Sequence, residues 1–290
     1  ISRCAMTTVV APMGYGKTTA VEWYLAERAG AEAPYIVRIS VYSSNLAIFW
    51  KSVQDAFARA GFAFLREYDC PTDGASGGLL IDDLCHALTG EKSCYIFIDD
   101  FHLLTDKRAP GFLCALAGRL PPNVHLILAS RDLFLPAAEL VRLGGKVYQI
   151  GTAQLRLNHT ELTVYTKRCG TALSDEQIDT LLYYSEGWFS AVYLNLRMFS
   201  EHGVLPDPNS DISSIFTAAM VDPLPEKQRE LLAVMGLADE FTVEMAQFVM
   251  ADAHAEDLLA ALTGQNAFVK RLPDGATYRF HHMMKECALH

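Results

Sequence analysis

The stretch Ala11-Pro12-Met13-Gly14-Tyr15-Gly16-Lys17-Thr18-Thr19 decides how this chain is read. It fits the phosphate-loop pattern G-x-x-x-x-G-K-[ST], with Ala11 in place of the first glycine. Gly14 and Gly16 let the backbone wrap an anion without Cβ clashes, and successive N–H groups then point inward as a nest. Upstream, Thr7–Ala11 is a short apolar run suited to a strand. Downstream, Lys17–Ala29 reads as a helix, whose positive end would face the same anion. Lys17 adds a full charge and the Thr18 hydroxyl suits Mg²⁺. Together Met13, Gly14, Tyr15, Gly16, Lys17, Thr18 and Thr19 are the candidate nucleotide-binding residues.

About 80 residues on, Cys94-Tyr95-Ile96-Phe97-Ile98-Asp99-Asp100 is an apolar run that ends in two acids. Asp99 is placed to hold Mg²⁺ through water, and Asp100 to polarise an attacking water. An Asp-Asp helix cap is the plainer alternative for that pair. A third apolar run, Val124–Ala129, leads into Ser130-Arg131, where a cation could touch a terminal phosphate; a surface arginine is the competing reading. His102 reads more simply as a loop-packing side chain than as a phosphate sensor.

Strand-like runs at Thr7–Ala11, Tyr35–Val41, Cys94–Ile98, Val124–Ala129 and Lys146–Ile150 alternate with helical segments, including Leu46–Ala60 and Pro110–Leu120. That alternation predicts an α/β fold with a five-stranded parallel sheet covered on both faces. Asp69–Gly78 reads as a loop, followed by a helix near Leu79–Leu88. Beyond Gly151 the pattern is helical only: Thr160–Cys169, Asp175–Ser185 and Gly187–Ser200. The breaker-rich stretch Gly203–Ser213 reads as a linker. Helices at Glu226–Met235, 242–250 and 254–263 then precede a short hairpin, Ala267–Arg271 and Thr277–Phe280, a winged-helix pattern. The expected domains are 1–151, a P-loop domain; 152–208, a helical subdomain; and 209–290, a winged helix.

Composition sets the outer limits. The 290 residues are 51% hydrophobic and 20% charged, which excludes a disordered or disulfide-scaffold chain. No apolar run approaches the roughly 18–20 residues of a membrane helix. The N-terminal residues do not form a signal peptide, and a cytoplasmic protein is expected. The net charge of −10 is uneven: residues 1–150 carry 14 basic and 15 acidic side chains, residues 151–290 carry 10 and 19. The second half is a poor DNA-binding surface on that balance. Seven cysteines without a C-x-x-C pair suggest reduced thiols, and the histidines show no metal-ligand spacing.

The motifs taken together resemble those of the signal-transduction ATPases with numerous domains (the STAND class), in particular the large LuxR-type, MalT-like transcriptional regulators. APMGYGKTT resembles that group's A-P-A-G-Y-G-K-T-T. Ile98-Asp99-Asp100-Phe101-His102 resembles I-D-D-Y-H, and LASR at 128–131 resembles the sensor strand. Glu186-Gly187-Trp188 resembles the helix-starting G-W, and Tyr278-Arg279-Phe280-His281-His282 the element that ends the winged helix. The resemblance implies an ATP/ADP switch with slow hydrolysis, closed with ADP and opening on exchange to ATP. It also implies self-association in the ATP state, with inducer and DNA bound by regions outside this chain. Arg131 becomes the expected γ-phosphate sensor, and His281 the expected contact to the β-phosphate of ADP. Phe189 stands where the group usually has proline, and Ser43-Ser44-Asn45 where it has an Asp-Asn pair. An AAA+-like ATPase turning over on a macromolecule and a nucleotide-stabilised interaction module are the alternative readings.

Overall fold

The computed structural model describes residues 3–203, 205, 217, 221–222, 224–238, 240–264, 269–272 and 275–280. His281 and nearly all of the expected linker Gly203–Ser213 lie outside these residues. The chain divides into two compact units, one of Ile1–Ala11 with Gly16–Gly151, the other of Pro12–Tyr15 with Thr152–His290.

The first unit is built on five parallel strands: β1 (Met6–Val10), β2 (Tyr35–Ser40), β3 (Cys94–Asp99), β4 (Val124–Ser130) and β5 (Val147–Ile150). Their order is β2-β3-β4-β1-β5. β1, β3 and β4 are flanked on both sides, and every residue in them is buried, which is why they are mostly apolar and show no alternation, with Thr7, Thr8, His125 and Ser130 as buried polar exceptions besides Asp99. The edge strands β2 and β5 keep exposed positions and are correspondingly more polar.

Helices α1 (Lys17–Glu32), α2 (Leu46–Arg59), α3 (Gly74–Leu88), α4 (Arg108–Arg119) and α5 (Ala137–Leu143) complete the unit. α2 starts where Asn45 accepts from the N–H groups of Ala47 and Ile48, offsetting two of the unpaired donors of the first turn. Its Val53, Ala56 and Phe57 enter one core with Leu80, Ile81 and Leu84 of α3 and Ile96, Ile98 and Leu126 of the sheet. Fully burying each such large aliphatic side chain contributes about 1.5–3 kcal/mol.

Two sequence expectations change here. α3 begins at Gly74, inside the expected loop, because Asp73 and Ser76 form a reciprocal capping box that starts the helix despite its glycines. α5 follows Pro136 and was not expected from the pattern.

In the second unit α6 (Thr152–Leu155) leads into α7 (His159–Arg168), α8 (Asp175–Ser185) and α9 (Phe189–His202). Asn158 with Glu161 and Ser174 with Gln177 form capping boxes at the starts of α7 and α8. Leu162, Ile178, Leu181, Val192 and Leu196 form a separate small core. α10 (Glu226–Met235), α11 (Val243–Met250) and α12 (Ala255–Gly264) follow. The expected hairpin has a third strand: β6 (Glu240–Thr242), β7 (Val269–Arg271) and β8 (Thr277–Phe280) form an antiparallel sheet ordered β6-β8-β7. Phe241 of β6 packs on Phe280 of β8, with ring centroids 5.1 Å apart, and Arg279 pairs with Glu240.

Candidate functional site

The carboxyl ends of β3 and β4 and the start of α1 gather the charged candidates of the first unit. Helix α1 starts after Gly16, whose φ of 71° lies in the left-handed region, with no side-chain cap and no acid in its first turn. An uncapped helix start is a favourable place for an anion. The Thr18 hydroxyl donates to Asp99 Oδ2 at 2.8 Å, joining the phosphate-loop threonine to the end of β3 across 81 positions of sequence. The other carboxylate oxygen, Oδ1, accepts the Asp100 N–H at 2.9 Å. Burial pushes the Asp99 carboxyl above its ordinary value, and the Thr18 and Asp100 donors pull it back.

Lys17 is only 8% exposed. Burial, and then the Arg131 charge, lower its ammonium to about 8, while Asp100, Asp99 and Asp132 oppose that shift. Lys17 and Arg131 are therefore close enough to repel, an arrangement that favours an anion between or beside them. Arg131 is exposed and directly follows β4, in a turn where the Ser130 hydroxyl donates to the Asp132 carbonyl at 2.8 Å.

Asp100 takes a left-handed backbone, φ 53°, and starts a 3-10 turn over Phe101–Leu103. Aspartate tolerates this region better than most side chains. The turn buries Phe101, leaves the Asp100 carboxylate half exposed, and sets the His102 ring beside it, Nδ1 to Oδ1 at 3.9 Å. Burial and the Arg131 charge hold the His102 imidazole below its ordinary value. The ring feels Arg131, Asp100, Asp132 and Lys17, and it is also largely buried, as a packing side chain is.

The donor set suits a magnesium ion. Mg²⁺ typically takes one or two protein oxygens and fills its remaining positions with water and phosphate oxygens. A hydroxyl and a carboxylate already in contact, Thr18 and Asp99, supply that share. Among the described residues no group of three or more His, Cys, Asp or Glu side chains could hold an ion without further ligands.

The remaining loop candidates, Met13, Gly14 and Tyr15, are part of the second unit. The Trp188 indole N–H donates to the Met13 carbonyl at 3.2 Å, and the Ser190 N–H donates to the Gly14 carbonyl at 2.9 Å. Gly14 has φ 80°, and a Cβ there would lie 2.6 Å from Trp188 and 2.7 Å from the Ser190 hydroxyl, so glycine is demanded twice over. Tyr15 is buried; burial raises its phenol, and the neighbouring Arg156 opposes that shift. Arg156 also reaches Glu186 at 3.4 Å. Gly187 is held at φ 73° against the Leu157 carbonyl, which a Cβ would strike. Phe189, in the place expected for proline, packs its ring on Tyr165 at 5.2 Å.

The structure thus brings Lys17, Thr18, Asp99, Asp100 and Arg131 together in the first unit, and His281 is outside the described residues. The link from Trp188 to Met13 was not expected from sequence. It joins residues 175 positions apart, and a lone tryptophan carries no local sign of its acceptor.

Comparison with known proteins places these features. A model of the MalT winged helix domain matches residues 217–290. The HTH-type transcriptional regulator MalT of Vibrio cholerae is 24% identical, and that of Vibrio campbellii 22%; each match covers 96% of this chain and 32% of the relative. The chain therefore spans about a third of the length of these regulators. Among solved structures, a Walker-type ATPase of Pyrococcus abyssi superposes with a TM-score of 0.67 at 12% identity, covering 99% of this chain and 91% of that one. The Aeropyrum pernix ORC2 protein, described as ADPNP-ADP complexes, gives 0.55 at 12% identity over 98% and 87%. The chain is MalT-like over nearly its whole length, with a P-loop ATPase fold and a winged helix of the MalT type.

Proposed function

We propose that this chain is the nucleotide-operated module of a MalT-like transcriptional regulator, binding ATP and ADP with Mg²⁺ and hydrolysing ATP slowly. The observation that carries the reading is the contact of Thr18 with Asp99, made beside a buried Lys17 at the open start of α1. That combination has no use in packing a core, and it matches what a phosphate with its metal requires.

In this reading Met13–Thr19 wrap the phosphates with backbone N–H groups, and Lys17 places a positive charge against them. Thr18 and Asp99 hold Mg²⁺, which neutralises phosphate charge when bound. Asp100 orients the attacking water and receives its proton, and Arg131 contacts the terminal phosphate and so distinguishes ATP from ADP. His281 contacts ADP from the winged helix. Residues 1–151 form the nucleotide domain, 152–208 the helical subdomain and 209–290 the winged helix. ADP holds the module closed, ATP opens it for self-association, and inducer and DNA are bound elsewhere in a longer cytoplasmic protein. Among the described residues no helix is long and apolar enough to cross a membrane.

The test is to denature freshly purified protein, identify released nucleotide by chromatography, and titrate nucleotide-free protein with Mg-ADP and Mg-ATP. Bound ADP at one per chain, or saturable binding weakened about 10–100-fold by Lys17→Ala, is expected. Equal affinity in the parent and in Lys17→Ala would sink the assignment. Turnover of about 1 s⁻¹ or faster, in the range of ordinary enzymes, would favour a continuously working ATPase over a switch.

A further inference from the structure

The first unit also contains a cavity beside its sheet, distinct from the start of α1. A space of about 370 Å³ lies among α2, α3, α4 and strands β2, β3 and β4. Phe49 and Trp50 of α2, Ile81 of α3, Phe112 of α4 and Ile96 and Ile98 of β3 supply its apolar walls.

The space opens to solvent at its rim and its walls are mostly apolar, so covering them would gain roughly 25 cal/mol per Å² of apolar surface removed from water. The volume falls within the about 300–1,000 Å³ typical of small-molecule sites. It is too small for a partner helix, whose diameter with side chains is about 10–12 Å.

Two glycines lie on its lining. Half-buried Gly78 of α3 and exposed Gly111 of α4 both border the space, and a Cβ added to either meets nothing within 4 Å. Glycine is the poorest helix former after proline, so a larger side chain at either place would strengthen its helix and crowd the mouth of the space.

The rim carries polar groups whose charges are already matched. Arg108 pairs with Asp106 at 2.7 Å and donates to the Thr72 carbonyl, and Arg119 pairs with Asp82 at 2.9 Å. Asp73 is engaged in capping α3, accepting the Ser76 N–H at 2.8 Å. A rim of satisfied pairs offers hydrogen-bonding groups without an unmatched charge to hold an ion.

We propose that this cavity is a binding site for an uncharged, mostly apolar small molecule with one short polar end. The apolar body lies between the walls of α2, α3 and α4, and the polar end meets the rim at Thr72 and Asp73. Ile98 and Phe101, which bracket Asp99 and Asp100 in sequence, both line the cavity, so an occupant packs against the same short segment that carries those carboxylates. The assignment does not depend on the nucleotide reading.

The experiment titrates the uncharged dye N-phenyl-1-naphthylamine into the 290-residue protein and follows dye emission. One saturable site per chain, weakened at least tenfold in Gly78→Leu and in Gly111→Leu with a raised Tm in both, is the expected result. Gly30→Leu, a substitution in α1 with open space around it and away from the cavity, should bind the dye like the parent. Unsaturable binding, or equal binding in the parent and both filled variants, overturns the proposal. So does a raised Tm in the filled variants with no dye binding by the parent, which would mark a packing defect. Dye binding that disappears in a longer form of the protein identifies a segment of chain as the occupant, and equally overturns the small-molecule assignment.

Discussion

Ala11 and Gly16–Thr19 count with the first unit and Pro12–Tyr15 with the second, and the two parts of this loop are held by different chemistry. In the first part, charge and a hydroxyl do the holding: Thr18 donates to a buried carboxylate, and Lys17 is buried among Asp99, Asp100, Asp132 and Arg131. In the second, neutral N–H groups from Trp188 and Ser190 engage the backbone carbonyls of Met13 and Gly14. Side chains that carry function by charge are written openly in a sequence. Carbonyls are present in every residue, so contacts to them leave no trace in the letters around them.

That contrast can be broken or sharpened by substitution. If the charged part serves hydrolysis, Asp100→Asn lowers ATP turnover by about 10²–10³-fold while leaving nucleotide affinity nearly unchanged. Asparagine tolerates the left-handed backbone as aspartate does, so the change tests the carboxylate and not the turn. A steady-state assay with parallel titration decides it, and equal loss of turnover and affinity would contradict the role.

On the second side, Gly187→Ala should cost about 3 kcal/mol, because the added methyl meets the Leu157 carbonyl at a φ suited to glycine. Chemical denaturation followed by helical circular dichroism measures this, and an unchanged midpoint would show that the turn relaxes freely. Lys17→Ala should weaken Mg-ADP binding by about 10–100-fold, the loss of charge-assisted bonds worth about 1.5–3 kcal/mol.

Trp188→Phe keeps most of the ring and deletes the donor to Met13, for an expected loss of about 1 kcal/mol. Unfolding that is indistinguishable from the parent would show the hydrogen bond to be incidental. The smallest effect is chemical and leaves stability untouched. Among the cysteines of the described residues, exposed Cys169 should react first with a thiol reagent. Cys94 is buried in β3 and pushed up to about 12 by that burial, so it should stay silent until the first unit unfolds.

The same distinction explains how much could be read in advance. The sheet was legible because flanked strands are mostly apolar, as Cys94–Ile98 and, but for His125, Val124–Ala129 are, and because Gly14 and Gly16 precede Lys17 at a spacing that few other structures require. Helix α3 was misplaced because Gly74, Gly77 and Gly78 read as loop, while the signal that starts the helix is a capping box using serine at the third position. Strand β6 escaped because three residues are too few to show alternation; its place is set by pairing with β8, some 37 positions away between Phe241 and Tyr278. The electrostatic surroundings of His102 are made by the fold, since Arg131, which helps lower its imidazole, is supplied by the turn after β4.

The strand order has a consequence for synthesis. β1 is made before the other strands of its sheet, yet Met6 pairs with Leu126 on one side and Val147 on the other. At roughly 5–20 residues per second, the strand preceding the phosphate loop waits on the order of ten seconds for its first neighbour. For that interval its apolar edges are open to other chains. The unit that reads most plainly in sequence therefore depends on protection while it is being made.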